Sequence, residues 1–169
     1  MNTYATKMLK LALTTALSLS LVLCHPAPVV ALETETLNDP LSCLAYNIYH
    51  EARGEGFLGM LVVADITLNR VESPLFLDSV CGVVTRGGEG LYKCAFSWYC
   101  DGLSDRISSV HSYAVASSIA SQILLHGRYR GITEGSTHYH SVDVNPDWID
   151  DRGMRYMGRV NNHLYYKWW

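Results

Sequence analysis

The spacing of apolar residues changes character once along the chain, and that change limits the folds open to it. Leu41, Leu44, Ala45, Ile48 and Ala52 recur as one face of a helix with a period of about 3.6 residues. Beyond Gly131 the helical spacing gives way to short alternating runs, Thr137–Val142 and Asn161–Lys167, which read as strands. Helices first and a small antiparallel sheet toward the C-terminus make an α+β layout. Residues 32–169 contain no internal repeat, low-complexity tract or separating linker, so they are expected to fold as one domain.

Local signals divide the helical part. Asn38-Asp39-Pro40 opens the first helix, because Asp39 can cap free backbone donors and Pro40 at the first position loses no intrahelical bond. Gly54 and Gly56 close it. A second helix is predicted from about Phe57 to Val71, so dense in Leu58, Leu61, Val62, Ala64, Ile66 and Leu68 that it should be the central helix of the core. Ser73-Pro74 breaks it, Asp78 is expected to cap a short helix over Ser79–Val84, and the loop Gly87-Gly88-Glu89-Gly90 should be mobile. A further long helix is predicted over Ser108–His126, ended by Gly127.

Residues 1–31 carry Lys7 and Lys10, the apolar run Leu11–Cys24, and the small-residue pattern Val29-Val30-Ala31, the layout of a secretory signal peptide. The run is shorter than the roughly 20 residues that span a bilayer. Leu23 is bulky for a lipoprotein processing site at Cys24. Removal of the leader would leave Cys43, Cys81, Cys94 and Cys100 in an oxidising compartment, where two disulfides are the natural reading. Of the three pairings, the favoured one joins Cys94 to Cys100 across a short loop and Cys43 to Cys81 between the first helix and the third segment. A zinc site on these cysteines is the rival reading, although no pair has ribbon spacing. With 13 Lys and Arg against 16 Asp and Glu, the formal net charge is −3 and no basic cluster occurs, which argues against nucleic-acid binding. A secreted or periplasmic monomer of the cell envelope, with no lasting membrane span, is expected.

Among chemistry-bearing residues Glu51 is the most informative. It follows Leu44 and Ile48 at helical spacing and so points to the core, where a carboxyl stays protonated more readily and can act as a general acid. The alternative is a structural carboxylate paired with Arg53 or Arg70. Glu55 is expected to organise the turn after the first helix by accepting backbone donors at the start of the second. His138 and His140 alternate on a predicted strand, and His163 could join them as a zinc set for an amidase or peptidase. The competing reading makes them hydrogen-bonding groups of a cleft. Many Tyr and Trp residues suit either sugar stacking or a partly wet core. No Gly-x-Ser-x-Gly elbow, phosphate loop or dinucleotide fingerprint is present.

Four blocks resemble the SleB-like cell wall hydrolases, a family that includes spore cortex-lytic enzymes and phage-borne relatives. They are Ile48-Tyr49-His50-Glu51-Ala52-Arg53-Gly54-Glu55 with Gly59, Val63–Val71, Phe96–Gly102, and Thr137–His140 with Asn145–Trp148 and His163–Tyr166. The resemblance implies a lysozyme-like fold acting on peptidoglycan glycan strands, with Glu51 as catalytic acid and no cofactor. Relatives of this fold often need one acid, since the muramic acid 6-hydroxyl can attack intramolecularly to give a 1,6-anhydro product. A lytic transglycosylase is therefore expected, with Ser97, Trp98, Tyr139 and His140 lining the cleft and Trp98 stacking on a sugar. A two-carboxylate hydrolase would instead need a partner, for which Asp101, Asp143 and Asp147 are candidates. Ala95, where relatives often have Gln, bears on a substrate contact, and Asn161-Asn162, replacing a glycine-containing turn, on strand geometry.

Overall fold

The computed structural model describes residues 37–87 and 94–169. The leader expected at 1–31 and most of the glycine loop fall outside the described residues. Helix α1 spans Pro40–Ala52, α2 Gly56–Glu72, α3 Val80–Val84 and α4 Val110–His126. Strands β1 (His138–Ser141), β2 (Met154–Val160) and β3 (His163–Trp168) follow, with 3-10 turns at Ser97–Cys100 and Asp147–Asp150. The helical core with a small C-terminal antiparallel sheet is the expected α+β layout.

The caps form as the sequence predicts at both ends of the helical part. The Asp39 carboxylate accepts from the backbone N–H of Leu41 at 2.9 Å and of Ser42 at 3.1 Å, and Pro40 takes the first helical position. Gly127, at φ +63°, ends α4 in a left-handed closure, its N–H bonded to Ile123 O and that of Arg128 to Gln122 O. At α3 the cap is Ser79 rather than Asp78, with Ser79 Oγ accepting from Gly82 N–H. At the centre α1 joins α2, which buries every residue from Gly59 to Arg70 and packs on α1, α3 and α4. Helix α1 packs on α2, α3 and α4, burying every residue from Ser42 to Tyr49. Cys43 is disulfide-bonded to Cys81, tying α1 to α3, and Cys94 is bonded to Cys100 around the 3-10 turn.

The second helix is not uniformly apolar where it is buried. Asp65, Asn69 and Arg70 are at most 8% exposed, and together they capture the segment that leads into the sheet. Asp65 accepts from Gly131 N–H at 2.9 Å, Thr133 N–H at 3.0 Å and Thr133 Oγ1 at 2.7 Å, and it is ion-paired with Arg130. Asn69 Nδ2 donates to Thr133 Oγ1 and to Ser136 O. Arg70 Nε donates to Thr137 O at 2.7 Å, one residue before β1. A buried charge is tolerable only when its bonding capacity is met, and here backbone of the incoming segment meets it.

The sheet order is β1-β3-β2, all antiparallel. Strand β2 is unexpected from the sequence. Its Met154–Val160 stretch is an edge strand whose register shifts between Tyr156 and Gly158, so its apolar residues do not alternate. Gly158 is required there, because a Cβ would meet the Tyr165 hydroxyl at 2.5 Å. Among the described residues no helix is long and apolar enough to cross a membrane.

Replacing Asp65 by Ala leaves two backbone donors and the Thr133 hydroxyl without their acceptor, and leaves Arg130 to Glu72, Asn69 and the backbone carbonyl of residue 65. The expected loss is about 3–5 kcal/mol of unfolding free energy, read as a lowered urea midpoint. A midpoint within experimental error of wild type would contradict this role.

Candidate active site

Glu51 lies in the last turn of α1, where helical spacing turns it toward the sheet. Its carboxylate Oε2 accepts a hydrogen bond from the Tyr139 hydroxyl on β1 at 2.7 Å. No Lys, Arg or His nitrogen lies within 4.0 Å of it among the described residues, so neither Arg53 nor Arg70 pairs with it directly. Burial pushes the Glu51 pKa above its ordinary value of 4.5, while the Tyr139 hydrogen bond and the charge of Arg70 pull it back without cancelling the rise. Arg70 is itself buried, its guanidinium 4.8 Å above the Phe96 ring and 5.4 Å above Phe76. Glu51 is thus a carboxyl that holds its proton longer than a surface one, with two groups ready to stabilise the anion once the proton leaves.

One side of Glu51 faces a cavity of about 810 Å³. Ser97 lines it from the disulfide-closed 3-10 turn, with its side chain exposed. The far part of the wall is the loop between that turn and α4, which brings Asp101, Asp105 and Arg106 to the same space. Tyr49 fixes this loop to α1: its hydroxyl accepts from the N–H groups of Ser108 and Ser109, each at 3.0 Å. His50 and Arg53 complete the side nearest Glu51. The His50 imidazole is held below its ordinary pKa, first by burial and then by Arg53. The Asp105 carboxyl is pushed up by burial and by Asp101.

Several expected roles change in the structure. Tyr139 does not line the cavity, and its hydroxyl serves Glu51 instead of substrate. Trp98 touches the cavity but is only 6% exposed, with the His50 ring stacked on it at 4.6 Å and its Nε1 donating to Asn47 Oδ1. It is a core residue that supports His50, with no face open to stack on a sugar. His140 lies on the other face of the sheet from Tyr139, stacked on Tyr166 at 5.3 Å, so it is not a cleft residue. His163 pairs opposite Ser141 and therefore shares the Tyr139 face, its ring 5.1 Å from that of Tyr139. The three histidines proposed as zinc ligands are split between two faces of the sheet. Among the described residues no three His, Cys, Asp or Glu side chains are grouped to hold a metal.

Glu55 is the N-terminal cap residue of α2, yet its side chain makes no capping bond. Its carboxylate accepts instead from the N–H of Asn162 at 3.2 Å and from Asn162 Nδ2 at 3.4 Å, and its carbonyl from Asn161 Nδ2. The contact expected with the first donors of α2 is absent, and the carboxylate instead joins the start of α2 to the β2–β3 turn. Asn161 tolerates the positive φ of +50° that this turn needs. Of the candidate second carboxylates, Asp101 reaches the cavity, Asp143 and Asp147 do not, and Asp105 joins it unforeseen. Asp105 and Arg106 escape the sequence reading because a wall built from a loop carries no periodic signal, while His50 and Arg53 flank Glu51 at the end of α1.

A family model described as cell wall hydrolase matches residues 54–166. The chain belongs to the cell wall hydrolase family. It is 28% identical over 130 residues to a spore cortex-lytic enzyme of Halalkalibacterium halodurans, covering 76% of this chain and 34% of that one. A spore cortex-lytic enzyme of Bacillus subtilis is 47% identical over 47 residues, 28% of this chain and 15% of the other. The chain therefore spans about a third or less of the curated relatives it matches. Its fold is that of the catalytic domain of the Bacillus cereus SleB protein, with a TM-score of 0.57 at 23% identity over 76% of this chain and 89% of that one. The catalytic domain of a germination-specific lytic transglycosylase, SleB from Bacillus anthracis, gives a TM-score of 0.58 at 23% identity over 80% and 100%. Glu51 lies just ahead of the residues matched by the family model, so its reading as a candidate site residue rests on geometry.

The raised Glu51 pKa has a consequence for stability. Between the unfolded and folded pKa values the native state binds more protons than the unfolded chain, so stability falls as pH rises through that window. Glu51→Gln is therefore expected to be more resistant to urea than wild type at pH 7, with the difference vanishing below about pH 4, where both side chains are neutral. A variant less stable than wild type at pH 7 would contradict a carboxylate held at a desolvation cost.

Proposed function

We propose that this protein cleaves the glycan strands of peptidoglycan as a lytic transglycosylase, with Glu51 as a single acid and base. The observation that carries the reading is the half-buried Glu51 carboxyl, poised beside an open cavity and bound by one neutral donor, Tyr139. In the first step Glu51 gives its proton to the glycosidic oxygen and the bond from the muramyl C1 breaks. The carboxylate that results is stabilised by the Tyr139 hydroxyl and by Arg70. In the second step the muramyl 6-hydroxyl attacks C1, and its proton returns to Glu51, so the residue finishes as it began. The product is a 1,6-anhydro sugar and no water is consumed.

Ser97 supplies a hydroxyl on the cavity wall for sugar hydroxyls or the N-acetyl group. Asp101 and Asp105 favour one other outcome from the same site, hydrolysis with water activated by a second carboxylate, and the products distinguish the two. Residues 32–169 act as the catalytic domain of a cell-envelope enzyme, delivered by a signal peptide over residues 1–31. N-terminal sequencing of the exported protein is expected to begin after Ala31.

Mass spectrometry of soluble products from purified peptidoglycan is the direct test. Wild type is expected to release anhydro-muropeptides, and Glu51→Gln to release them roughly 10²- to 10⁴-fold more slowly. Ordinary reducing ends would replace transglycosylation by hydrolysis, and cut peptide stems would overturn the glycosidase reading. Ser97→Ala is expected to raise KM about two- to tenfold, the worth of one hydrogen bond. An unchanged KM and kcat would remove Ser97 from the site.

A further inference from the structure

Two guanidinium groups line the cavity without an ion pair to either among the described residues. Arg53, two residues after Glu51, is the C-terminal cap residue of α1, and its guanidinium lies 5.0 Å over the Tyr49 ring. Arg106 sits on the loop whose later residues, Ser108 and Ser109, are tethered to the Tyr49 hydroxyl. Tyr49 is fully buried, so one rigid ring supports both the stacked Arg53 and the loop that carries Arg106. Neither arginine has a carboxylate within 4.0 Å among the described residues, although three acids share the cavity. Each of those acids is otherwise engaged. Glu51 is hydrogen-bonded by Tyr139, Asp101 accepts from Leu103 N–H at 2.8 Å, and burial together with the neighbouring Asp101 pushes the Asp105 pKa up.

We propose that Arg53 and Arg106 bind the carboxylates carried by muramyl residues, and that this contact sets which of the alternating glycosidic bonds lies against Glu51. The inference rests on the glycosidase reading and adds the substrate feature that the site recognises. A peptidoglycan strand alternates two sugars with similar rings, so ring shape and N-acetyl contacts alone give a weak register. Only the muramyl sugar carries a lactyl group, which ends in a free carboxylate or in a peptide stem bearing carboxylates. The planar guanidinium fork matches a carboxylate with two parallel donors, and its charge remains at any working pH. Held beside the acid, such a pair marks the muramyl side of the bond to be cut. It also favours glycan with its acidic groups intact over glycan from which they are removed or masked.

The test separates binding from cleavage. Sonicated peptidoglycan is compared with the same material after its carboxyl groups are converted to methylamides by carbodiimide coupling. The inactive Glu51→Gln protein is expected to bind the charged strands roughly ten- to hundredfold more tightly than the neutralised ones, the range for charge-assisted hydrogen bonds. Adding Arg53→Gln and Arg106→Gln should abolish that preference, with circular dichroism confirming that the variant is folded. If it is not folded, the comparison of the two strands on Glu51→Gln alone decides. Equal affinity for both strands, or a preference that survives loss of both arginines, overturns the proposal. Cleavage by wild type is read separately. Carboxylate-dependent binding with no release of sugar would overturn the glycosidase reading while leaving the arginine contact in place.

Discussion

The buried polar edge of α2 is the constraint on which the rest of this structure depends. Asp65 and the adjacent pair Asn69 and Arg70 lie one turn apart, and each binds a successive part of the segment from Arg130 to Thr137. Because backbone groups are among the partners, the segment is fixed in position as well as in direction. Strand β1 begins at the next residue, so the placement of the sheet against the helices is inherited from these bonds. The energetic logic is that of a satisfied buried charge. Asp65 is costly to bury alone and acceptable with this many donors, which makes the captured conformation the one in which its cost is met.

That placement decides the chemistry. Tyr139 is the second residue of β1, and its hydroxyl meets the Glu51 carboxylate from the opposite layer. Glu51 arrives from α1, whose central position buries it, and the two elements come together only because α2 holds the incoming strand. Arg70 serves both purposes, bonding Thr137 O with its Nε and placing a positive charge near Glu51. The acid therefore sits between an apolar surrounding that favours its proton and two groups that favour its anion. A group that gives up a proton and takes one back, the role proposed for Glu51, needs both influences, and here they come from the structural bonds of the fold.

The features legible in the sequence are those set by local periodicity and capping. Asp39-Pro40 and Gly127 mark helix ends because caps act within a few residues. Glu51 is readable as inward-facing because it shares the spacing of Leu44 and Ile48. The features that escape are set by pairing across the chain. His163 looks like a companion of His138 and His140 until the β1–β3 register places it opposite Ser141, on the other face. Tyr139 reads as a cleft residue, while its partner is a carboxylate 88 positions away. Trp98 carries the aromatic character expected of a sugar platform, yet packing against His50 and a bond to Asn47 draw it into the core. Strand β2 hides because a bulge breaks its alternation.

The central claim is that burial makes Glu51 a weak acid and that Tyr139 restrains the effect. It is tested most directly by titrating the Glu51 side-chain carboxyl by carbon-detected NMR in wild type and in Tyr139→Phe. The expected midpoint in wild type lies above the ordinary 4.5, and it moves higher still in the variant, since the lost hydrogen bond stabilised the anion. A wild-type midpoint at or below 4.5, or one that Tyr139→Phe leaves in place, would contradict the account.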